Sequence, residues 1–310
     1  MTDVLCAGHV NWDVTLRVDR LPEPDGEVSL QSTRQAGGGS AANVAVNLAG
    51  LSVTPTLFGS IGTDETGTRC RQELADSGVY PHLVRADGDT AVKYLVVDGD
   101  GEVMVLSGAG HNEAYTPRDL PDGALATDVV HLTNQDPAVA AGLAEGGRDR
   151  DATISLAPGR RLADRDFSAA LRLADLVFVN DREATALGEA PWGDTVRPDA
   201  TVVVTLGSEG AEVRRRSETI HHPGFDVEPL DTTGAGDAFA AGFLAAREGA
   251  LADTALTDVL PGLAPESDGD APRDEAALAV ANACGAVASR ALGARATLDP
   301  ATLRDVIAGQ

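Results

Sequence analysis

Short apolar runs alternate with longer amphipathic segments along this chain of 310 residues. The apolar runs have the length of buried strands and end in turn residues, and they lie at 3–10, 54–62, 129–133, 152–159, 176–180 and 201–207. Between them, apolar residues recur at helical spacing, most clearly in 41–51, 69–78 and 237–249. Continuous apolar strands separated by helices are typical of a parallel sheet covered on both faces. The pattern predicts an α/β fold of three layers with a mostly parallel central sheet.

Two segments interrupt this alternation. Residues 90–106 are two β-rich runs around Asp-Gly-Asp-Gly, which is a hairpin signal. Residues 12–21 have the same character and are expected to join the hairpin in a small second sheet. We therefore expect one domain over residues 1–310, with a β lid built from about 12–36 and 89–108.

Charge adds a constraint on the surroundings of the protein. There are 48 acidic and 24 basic residues, which gives a net charge of −24, and Lys93 is the only lysine. A dense acidic surface keeps a protein dissolved by self-repulsion and hydration, as in halophiles. Because the acids are spread along the whole chain, we expect a halophilic protein rather than a surface made for a basic partner. One acidic stretch rich in Pro and Gly, 261–276, is expected to be an exposed insertion between two helices.

The sequence does not favour a nucleic-acid partner, a membrane location or secretion. No basic stripe is present to neutralise the phosphates of a nucleic acid. No apolar run approaches the roughly 18 residues that span a bilayer, and the N-terminus lacks the basic region of a signal peptide. The three cysteines, Cys6, Cys70 and Cys284, lie far apart and fit reduced, mostly buried thiols. Together these features predict a cytoplasmic protein with no membrane association.

The densest candidate for chemistry is the string DTTGAGDAFAAGF at 231–243. The amides of Gly234, Ala235 and Gly236 can point outward together at the start of a helix, where N–H groups and the helix dipole favour an anion. Asp237 follows directly as a candidate base. An anion site beside a carboxylate suits phosphoryl transfer, with Asp237 accepting the proton of an attacking hydroxyl. Taken alone, the four residues Gly-Ala-Gly-Asp favour ordinary helix capping; the whole string does not.

The whole string closely resembles the C-terminal signature of the ribokinase-like (PfkB) family of sugar and nucleoside kinases. Other stretches resemble segments of that family in the same order, namely 8–27, 37–51 with its diglycine and Asn, the N-x-x-E motif at 180–183, 205–211 and 281–294. The resemblance covers nearly the whole chain. It implies a ribokinase-like fold with a lid, ATP and Mg²⁺, and a sugar or sugar-containing small molecule as phosphate acceptor.

The resemblance also implies roles for individual residues on the acceptor side. Asn11 and Asp13 are expected to hydrogen-bond sugar hydroxyls, with Gly38, Gly39 and Asn43 completing the pocket. These residue types suit the task, since Asn and Asp offer directional donors and acceptors and glycine lets a sugar ring approach the backbone. Without the resemblance, Asp13 is equally compatible with a solvated loop acid, and Asn43 with the polar face of a helix.

A second group of residues is implied on the phosphate-donor side. The expected nucleotide-binding residues are Asn180, Thr205, Gly207, Gly210 and Asn282. Glu183 is expected to hold the Mg²⁺–phosphate region through water, together with Asn180. A single carboxylate is adequate, since Mg²⁺ keeps several waters and binds few carboxylates. Without the other motifs, this pair of residues is typical of a helix start. Asp231 and Thr233 are expected to help bind a monovalent cation such as K⁺, as in some relatives.

The sequence leaves the acceptor open among a free sugar, a nucleoside and a sugar phosphate such as a pentose phosphate. Lys93 lies in the expected lid hairpin and is a candidate for holding a phosphate or carboxylate on the substrate, although a solvated strand residue is the simpler interpretation. Arg34, Arg160 and Arg161 are candidates for the same role. Lid sheets in this family often pair into dimers, so a homodimer is a further expectation.

Other function classes fit less well. Gly37-x-Gly39-x-x-Ala42 formally matches a dinucleotide fingerprint, but no clear acid ends the following strand. A Walker-type kinase is excluded because its loop needs Gly-Lys-Ser/Thr, and Lys93 has Val92 before it and Tyr94 after it. The alternative that keeps the same fold is a non-catalytic sugar- or nucleotide-sensing protein. Loss of Asp237 or the glycines would indicate it, and both are present.

Overall fold

The computed structural model describes residues 2–100, 102–188, 192, 194–264 and 270–309. Within them, nine strands form one large sheet. In spatial order its strands are β13 (Thr219–His222), β12 (Ala211–Arg214), β11 (Thr201–Thr205), β10 (Leu176–Asn180), β9 (Thr153–Leu156), β8 (Val129–Leu132), β1 (Asp3–Ala7), β4 (Thr54–Gly62) and β5 (Tyr80–Ala86). All neighbours from β5 to β11 pair in parallel, and β12 and β13 add an antiparallel edge. The predicted mostly parallel central sheet is confirmed.

Helices cover both faces of this sheet. They are α1 (Ser40–Gly50), α2 (Glu65–Asp76), α3 (Pro137–Arg148), α4 (Ser168–Leu171), α5 (Asp181–Leu187), α6 (Ala235–Arg247), α7 (Asp270–Ser289) and α8 (Pro300–Ala308). Successive side chains of β1 point to opposite faces, as in any strand. Val4 and Cys6 belong to a core with α1, α6 and α7, whereas Leu5 and Ala7 belong to a second core with α3 and α4. The predicted three layers follow from this division.

A separate four-stranded sheet forms the lid. Its spatial order is β3 (Leu30–Gly38), β2 (Asn11–Val18), β6 (Val92–Val97) and β7 (Val103–Ser107). Strand β2 pairs in parallel with β6 and antiparallel with β3, so the two predicted lid segments meet at the centre of this sheet. Gly101, in the predicted hairpin turn, lies outside the described residues. The sheet brings Asn11, Asp13 and Lys93 onto neighbouring strands.

Some elements differ from their predicted bounds for local reasons. Helix α2 begins at Glu65, four residues before the predicted start, because the side chain of Asp64 accepts a hydrogen bond from Gly67 N at 2.9 Å and caps the helix. Helix α6 begins at Ala235, two residues early, on a Gly234 N-cap. Strand β5 was not predicted, because it is an edge strand with mostly exposed or half-buried side chains and has no continuous apolar run.

The acidic stretch 261–276 differs from the expected exposed insertion. Residues 265–269 lie outside the described part, but helix α7 already begins at Asp270, and the side chain of Asp274 is 0% exposed. Asp274 pairs with Arg247 of α6 at 2.5 Å and with Arg215 just after β12. Asp274 and Ala276 of this stretch are therefore buried, whereas Pro272 and Glu275 are exposed. Burial of the acid is possible because two arginines pair with it.

The cysteines follow the sequence expectation. Cys6, Cys70 and Cys284 are buried and free. Burial raises the pKa of the Cys70 thiol to about 12, so its thiolate is strongly disfavoured. Among the described residues, no helix combines the length and the hydropathy that crossing a membrane requires.

We expect Asp274→Ala to lower the free energy of unfolding by about 3–5 kcal/mol, because it leaves two partly buried guanidinium groups without their carboxylate. The measurement is chemical denaturation at fixed high salt. Asp258→Ala is the matched control, since Asp258 is exposed and should change stability by about 0.5 kcal/mol or less. Equal, small effects of the two substitutions would contradict this account of the ion cluster.

Candidate active site

Asp237 stands in the first turn of α6. Gly234 is the N-cap in the left-handed region, at φ 77°, and a Cβ there would lie 2.3 Å from Ala294 O. No side chain caps the helix; instead, Asp237 Oδ2 accepts a hydrogen bond from Asn43 Nδ2 at 2.8 Å. Gly234 is therefore the cap of α6, but the carboxylate of Asp237 does not cap the helix. Asp237 faces a residue 194 positions away in the sequence.

The amides before Asp237 are only partly available to an anion. Ala235 N donates to Thr232 O at 3.2 Å within the turn. A Cβ added to Gly236 would meet nothing within 4 Å, and the residue is exposed. The open side of the expected nest is therefore at Gly236.

Asn43 is oriented by a side chain that sequence analysis missed. Arg295 Nε donates to Asn43 Oδ1 at 3.2 Å, which leaves the amide nitrogen of Asn43 to face Asp237. Arg295 Nη1 is also 3.6 Å from Glu73 Oε2, which accepts from Gly37 N at 2.8 Å. This series of contacts links the lid strand β3, helix α2 and the loop before α8 to the carboxylate of Asp237. Its charged members come from separate parts of the sequence, so no linear motif reveals them.

The surroundings of Asp237 set its protonation. Burial raises the pKa of its carboxyl group to about 6, against hydrogen bonds from Asn43 and Ser40 and the charge of Lys93, which lower it. The charge of Asp13 adds to the increase. Asp237 is thus mostly ionised at neutral pH, with a pKa in the range that serves a general base.

The predicted acceptor residues lie together. Asn11, which is fully buried, pairs with Gly38 in the lid, and Asp13 lies opposite Lys93. A Cβ on Gly38 would be 1.9 Å from Asp13 Oδ2, so only glycine leaves room for this carboxylate. Gly39, at φ 97°, is likewise excluded from bearing a side chain, because its Cβ would lie 2.2 Å from His9 O.

Lys93 is part of this group rather than a solvated strand residue. Its Nζ is 2.9 Å from one terminal atom of the Asn11 carboxamide, whose other terminal atom is 2.7 Å from Asn112 Nδ2. Burial raises the pKa of Asp13, while the charges of Lys93 and Arg295 oppose that increase. The pocket therefore contains carboxylates and cations at close quarters.

A second buried network borders the pocket and was not predicted. His9 Nε2 is 2.7 Å from Glu113 Oε1, and Arg165 contacts both oxygens of Glu113 at 2.7 and 3.1 Å. Burial acts to raise the pKa of Glu113, but the bonds from His9 and Arg165 prevail and lower it to about 2. Burial lowers the pKa of His9, although Glu113 opposes this. Glu113 is accordingly ionised and His9 is held in place.

Asn180 and Glu183 lie at the carboxyl end of β10. Asn180 is in register with Thr205 of β11. Asn180 Oδ1 accepts from Glu183 N at 2.8 Å, and Glu183 Oε2 accepts from Asn180 N at 3.1 Å, so N-x-x-E is a capping box for α5. Burial raises the pKa of Glu183. A single half-buried carboxylate fits Mg²⁺, which takes few protein ligands and keeps water and phosphate oxygens.

The remaining nucleotide-side residues surround β12 and β13. Gly207 and Gly210 have positive φ, and a Cβ on Gly210 would be 2.0 Å from His222 O. Asn282 Nδ2 donates to Leu278 O at 2.8 Å and is 3.4 Å from His222 Nδ1. The rings of His222 and Phe225 are 5.3 Å apart. Their planes are inclined by 38°, and this aromatic pair was not predicted from the motifs.

Asp231 connects two loops. Its carboxylate is buried and accepts from Thr233 N at 2.9 Å and from Gly293 N at 2.8 Å. It therefore ties the segment before α6 to the segment after α7. Both oxygens already accept backbone hydrogen bonds, so this carboxylate has a structural task beside its expected one.

Known proteins resemble this chain along most of its sequence. The family model of pfkB family carbohydrate kinases matches residues 1–301. The chain is 50% identical to an ATP-dependent ribose-1-phosphate kinase of Halopiger xanaduensis, over 95% of this chain and 94% of the relative. It is 30% identical to a nucleoside kinase of Methanothermobacter thermautotrophicus, over 79% and 82% of the two chains.

Solved structures show the same fold. Ribokinase of Giardia lamblia superposes with a TM-score of 0.86 at 20% identity, covering all of both chains. Ribokinase of Arabidopsis thaliana, solved with ribose and ATP, gives 0.78 at 20% identity, covering 99% and 98%. The resemblance that the motifs indicated is confirmed: the chain belongs to the PfkB family of carbohydrate kinases, and it is an ATP-dependent phosphotransferase whose acceptor is a hydroxyl group.

Proposed function

We propose that this kinase transfers the γ-phosphate of ATP to the C5 hydroxyl of ribose 1-phosphate. The observation that carries the proposal is the 50% identity, over 95% of the chain, to a kinase with that substrate. Among the acceptors that the sequence leaves open, this favours the pentose phosphate over a free sugar or a nucleoside. The C5 hydroxyl is the primary hydroxyl of a furanose whose anomeric oxygen is already esterified, so it is the least hindered nucleophile.

Asp237 is the proposed general base. With a pKa of about 6 it is ionised at neutral pH and can take the proton of the C5 hydroxyl as the phosphate moves. Asn43 holds the carboxylate by one hydrogen bond of 2.8 Å, which fixes where the proton goes. Asn11 and Asp13 would bind the ring hydroxyls, and Gly38 and Gly39 would admit the sugar. Closure of the lid sheet over this pocket would exclude water, which otherwise competes for the phosphate.

The donor side is proposed to use the remaining residues. Thr205, Gly207, Gly210 and Asn282 would bind the nucleotide, and Glu183 with Asn180 would hold Mg²⁺ through water. When bound, Mg²⁺ neutralises charge on the transferring phosphate. The exposed amide of Gly236 would add hydrogen bonding to the same oxygens.

A monovalent cation such as K⁺ is a further part of the proposal. Asp231 and Thr233 would stand beside it. The support is the hydrogen bond from Gly293 N to the carboxylate of Asp231. It holds the segment after α7, with its backbone carbonyl groups, next to the start of α6.

We also propose that the lid forms a homodimer. Tyr94 and Leu106 are a cross-strand pair, 41% and 52% exposed, on the face of the lid opposite Lys93. Leu30, on the edge strand β3, is 56% exposed. A second copy would cover these apolar side chains.

The proposed substrate is tested by an ADP-release assay in high KCl with MgATP, offering ribose 1-phosphate, free sugars and nucleosides in parallel. We expect ribose 1-phosphate to have the highest kcat/KM, and Asp237→Asn to lower kcat by about 10² to 10⁴ because the base is lost. ³¹P NMR of the product should show two phosphate monoesters, one of them on C5. A preference for a nucleoside or an unphosphorylated sugar would refute the proposed substrate. Unchanged turnover in Asp237→Asn would refute the proposed base.

The glycines before Asp237 give a matched pair of variants. Gly236→Ala should leave stability equal or slightly higher, since alanine favours a helix by up to about 1 kcal/mol, while its methyl group enters the phosphate site and lowers kcat at least about tenfold. Gly234→Ala should instead destabilise the fold by about 1–3 kcal/mol, because φ is positive and the methyl group meets Ala294 O. Melting temperature and kcat, measured on both, separate these effects. A loss of stability in Gly236→Ala with normal kcat would contradict the role of this amide.

A further inference from the structure

Two cations near the acceptor pocket form no ion pair among the described residues. One is Lys93, the single lysine of a chain with a net charge of −24. The other is Arg161, although Arg165, four residues later, pairs with Glu113.

Lys93 is half-buried on β6, and its Nζ is 2.9 Å from the carboxamide of Asn11. Lys93 forms no ion pair with Asp13 or Asp237, although its charge opposes the rise in the pKa of both carboxyl groups. Its ammonium group therefore remains available to an anionic ligand.

Arg161 approaches the same pocket from the other side. It lies on the 3-10 turn Gly159–Ala163 that follows β9. Arg165 N donates to Arg161 O at 2.9 Å, so one helical turn separates the two arginines and their side chains share a side. Arg165 is committed to Glu113, which holds His9. Arg161 is exposed, and the turn that carries it lies next to the pair of Glu113 and His9.

The charges of both cations act on His9. Lys93 and Arg161 each lower the pKa of its imidazole, and the bonds from Arg165 to Glu113 place the turn that carries Arg161 beside the partner of His9. Since Glu113 is ionised, His9 Nε2 carries the proton of their hydrogen bond and Nδ1 has a lone pair. His9 is only 4% exposed, and its Nδ1 has no hydrogen-bond partner among the described residues. A hydroxyl donor of the substrate would satisfy it.

The neighbouring arginine serves the opposite side. Arg160 acts on Glu183, where its charge opposes the burial that raises the pKa of that carboxyl group. The charge of Arg160 thus acts on the proposed donor side, and the charge of Arg161 acts on the acceptor side. This division singles out Arg161, and not Arg160, for the acceptor.

We propose that Lys93 and Arg161 hold the phosphate group that the substrate already carries, and that they select a sugar phosphate over a free sugar. This inference rests on the proposed function and names the residues behind its specificity. A guanidinium group offers two parallel N–H donors to phosphate oxygens, and an ammonium group adds a point charge. Asp237 is then left to take the proton of the hydroxyl that reacts.

The test uses Lys93→Gln, Arg161→Gln and the double variant of the full-length protein, assayed with MgATP. Arg172→Gln is the control, since Arg172 is exposed at the C-cap of α4, and its charge lowers the pKa of the exposed Asp166 rather than that of His9. Assays run at about pH 8, where Asp237 is ionised even if loss of Lys93 raises its pKa. Each single variant should raise KM for ribose 1-phosphate by about tenfold to a hundredfold, with KM for ATP unchanged. The inhibition constant of free ribose, a neutral competitor, should stay within about twofold, because ribose lacks the group these cations bind.

Three results would overturn the proposal. The first is an equal loss of affinity for ribose 1-phosphate and for ribose. The second is an unchanged KM for ribose 1-phosphate in the double variant. The third is a rise in KM for ATP in place of that for ribose 1-phosphate, which would assign Arg161 to the donor. Wild-type protein that leaves ribose 1-phosphate unreacted would instead refute the proposed function.

Inorganic phosphate provides a readout that needs no turnover. It should raise the melting temperature of the wild-type protein and of Arg172→Gln, and raise that of the double variant less. Equal shifts in all three proteins would count against the phosphate site even if the substrate were another sugar phosphate. Melting temperatures without phosphate show whether each variant is folded.

Discussion

The site depends on keeping one partly buried carboxylate ionised. Burial moves the pKa of Asp237 from 3.8 to about 6, and each pKa unit corresponds to about 1.4 kcal/mol, so ionisation at neutral pH costs the fold about 3 kcal/mol. Because the pKa of this carboxyl group is raised in the folded state, the fold keeps the full amount, about 3 kcal/mol of stability, below about pH 4. It loses that stability as the pH rises through about 6. The hydrogen bond from Asn43 reduces the cost. The fold thus accepts lower stability to keep the proposed base, Asp237, ionised at neutral pH.

The architecture brings distant segments to that carboxylate. Parallel strands place their carboxyl ends on one edge of the sheet, which is where α/β folds bind ligands. Helix α1 supplies Asn43, the lid supplies Asp13 and Lys93, and the loop before α8 supplies Arg295. A displacement of the lid would therefore change the charges around Asp237. It would couple closure over the proposed substrate to the pKa of the proposed base.

The sequence predicts those parts of the site whose residues lie in short continuous strings. The buried strands appear as apolar runs, so the fold could be predicted. The glycines, Asp237 and Asn43 stand in such strings, so the grouping of the proposed acceptor residues could be predicted as well. Arg295 and the pair of His9 and Glu113 could not, because each acts through partners far away in sequence. The acid-rich stretch misled for the same reason: Asp274 is polar in the sequence and buried in the fold, since its arginines come from elsewhere.

The most direct test of the account is the titration of Asp237 itself. ¹³C NMR of labelled carboxyl groups, assigned by comparison with Asp237→Asn, would follow its ionisation in the wild type and in Asn43→Ala. The account predicts a midpoint near pH 6 in the wild type and a higher midpoint in Asn43→Ala, because the hydrogen bond that favours the ionised form is gone. A midpoint near 4 in both proteins would show that Asp237 is an ordinary solvated acid and would contradict the account.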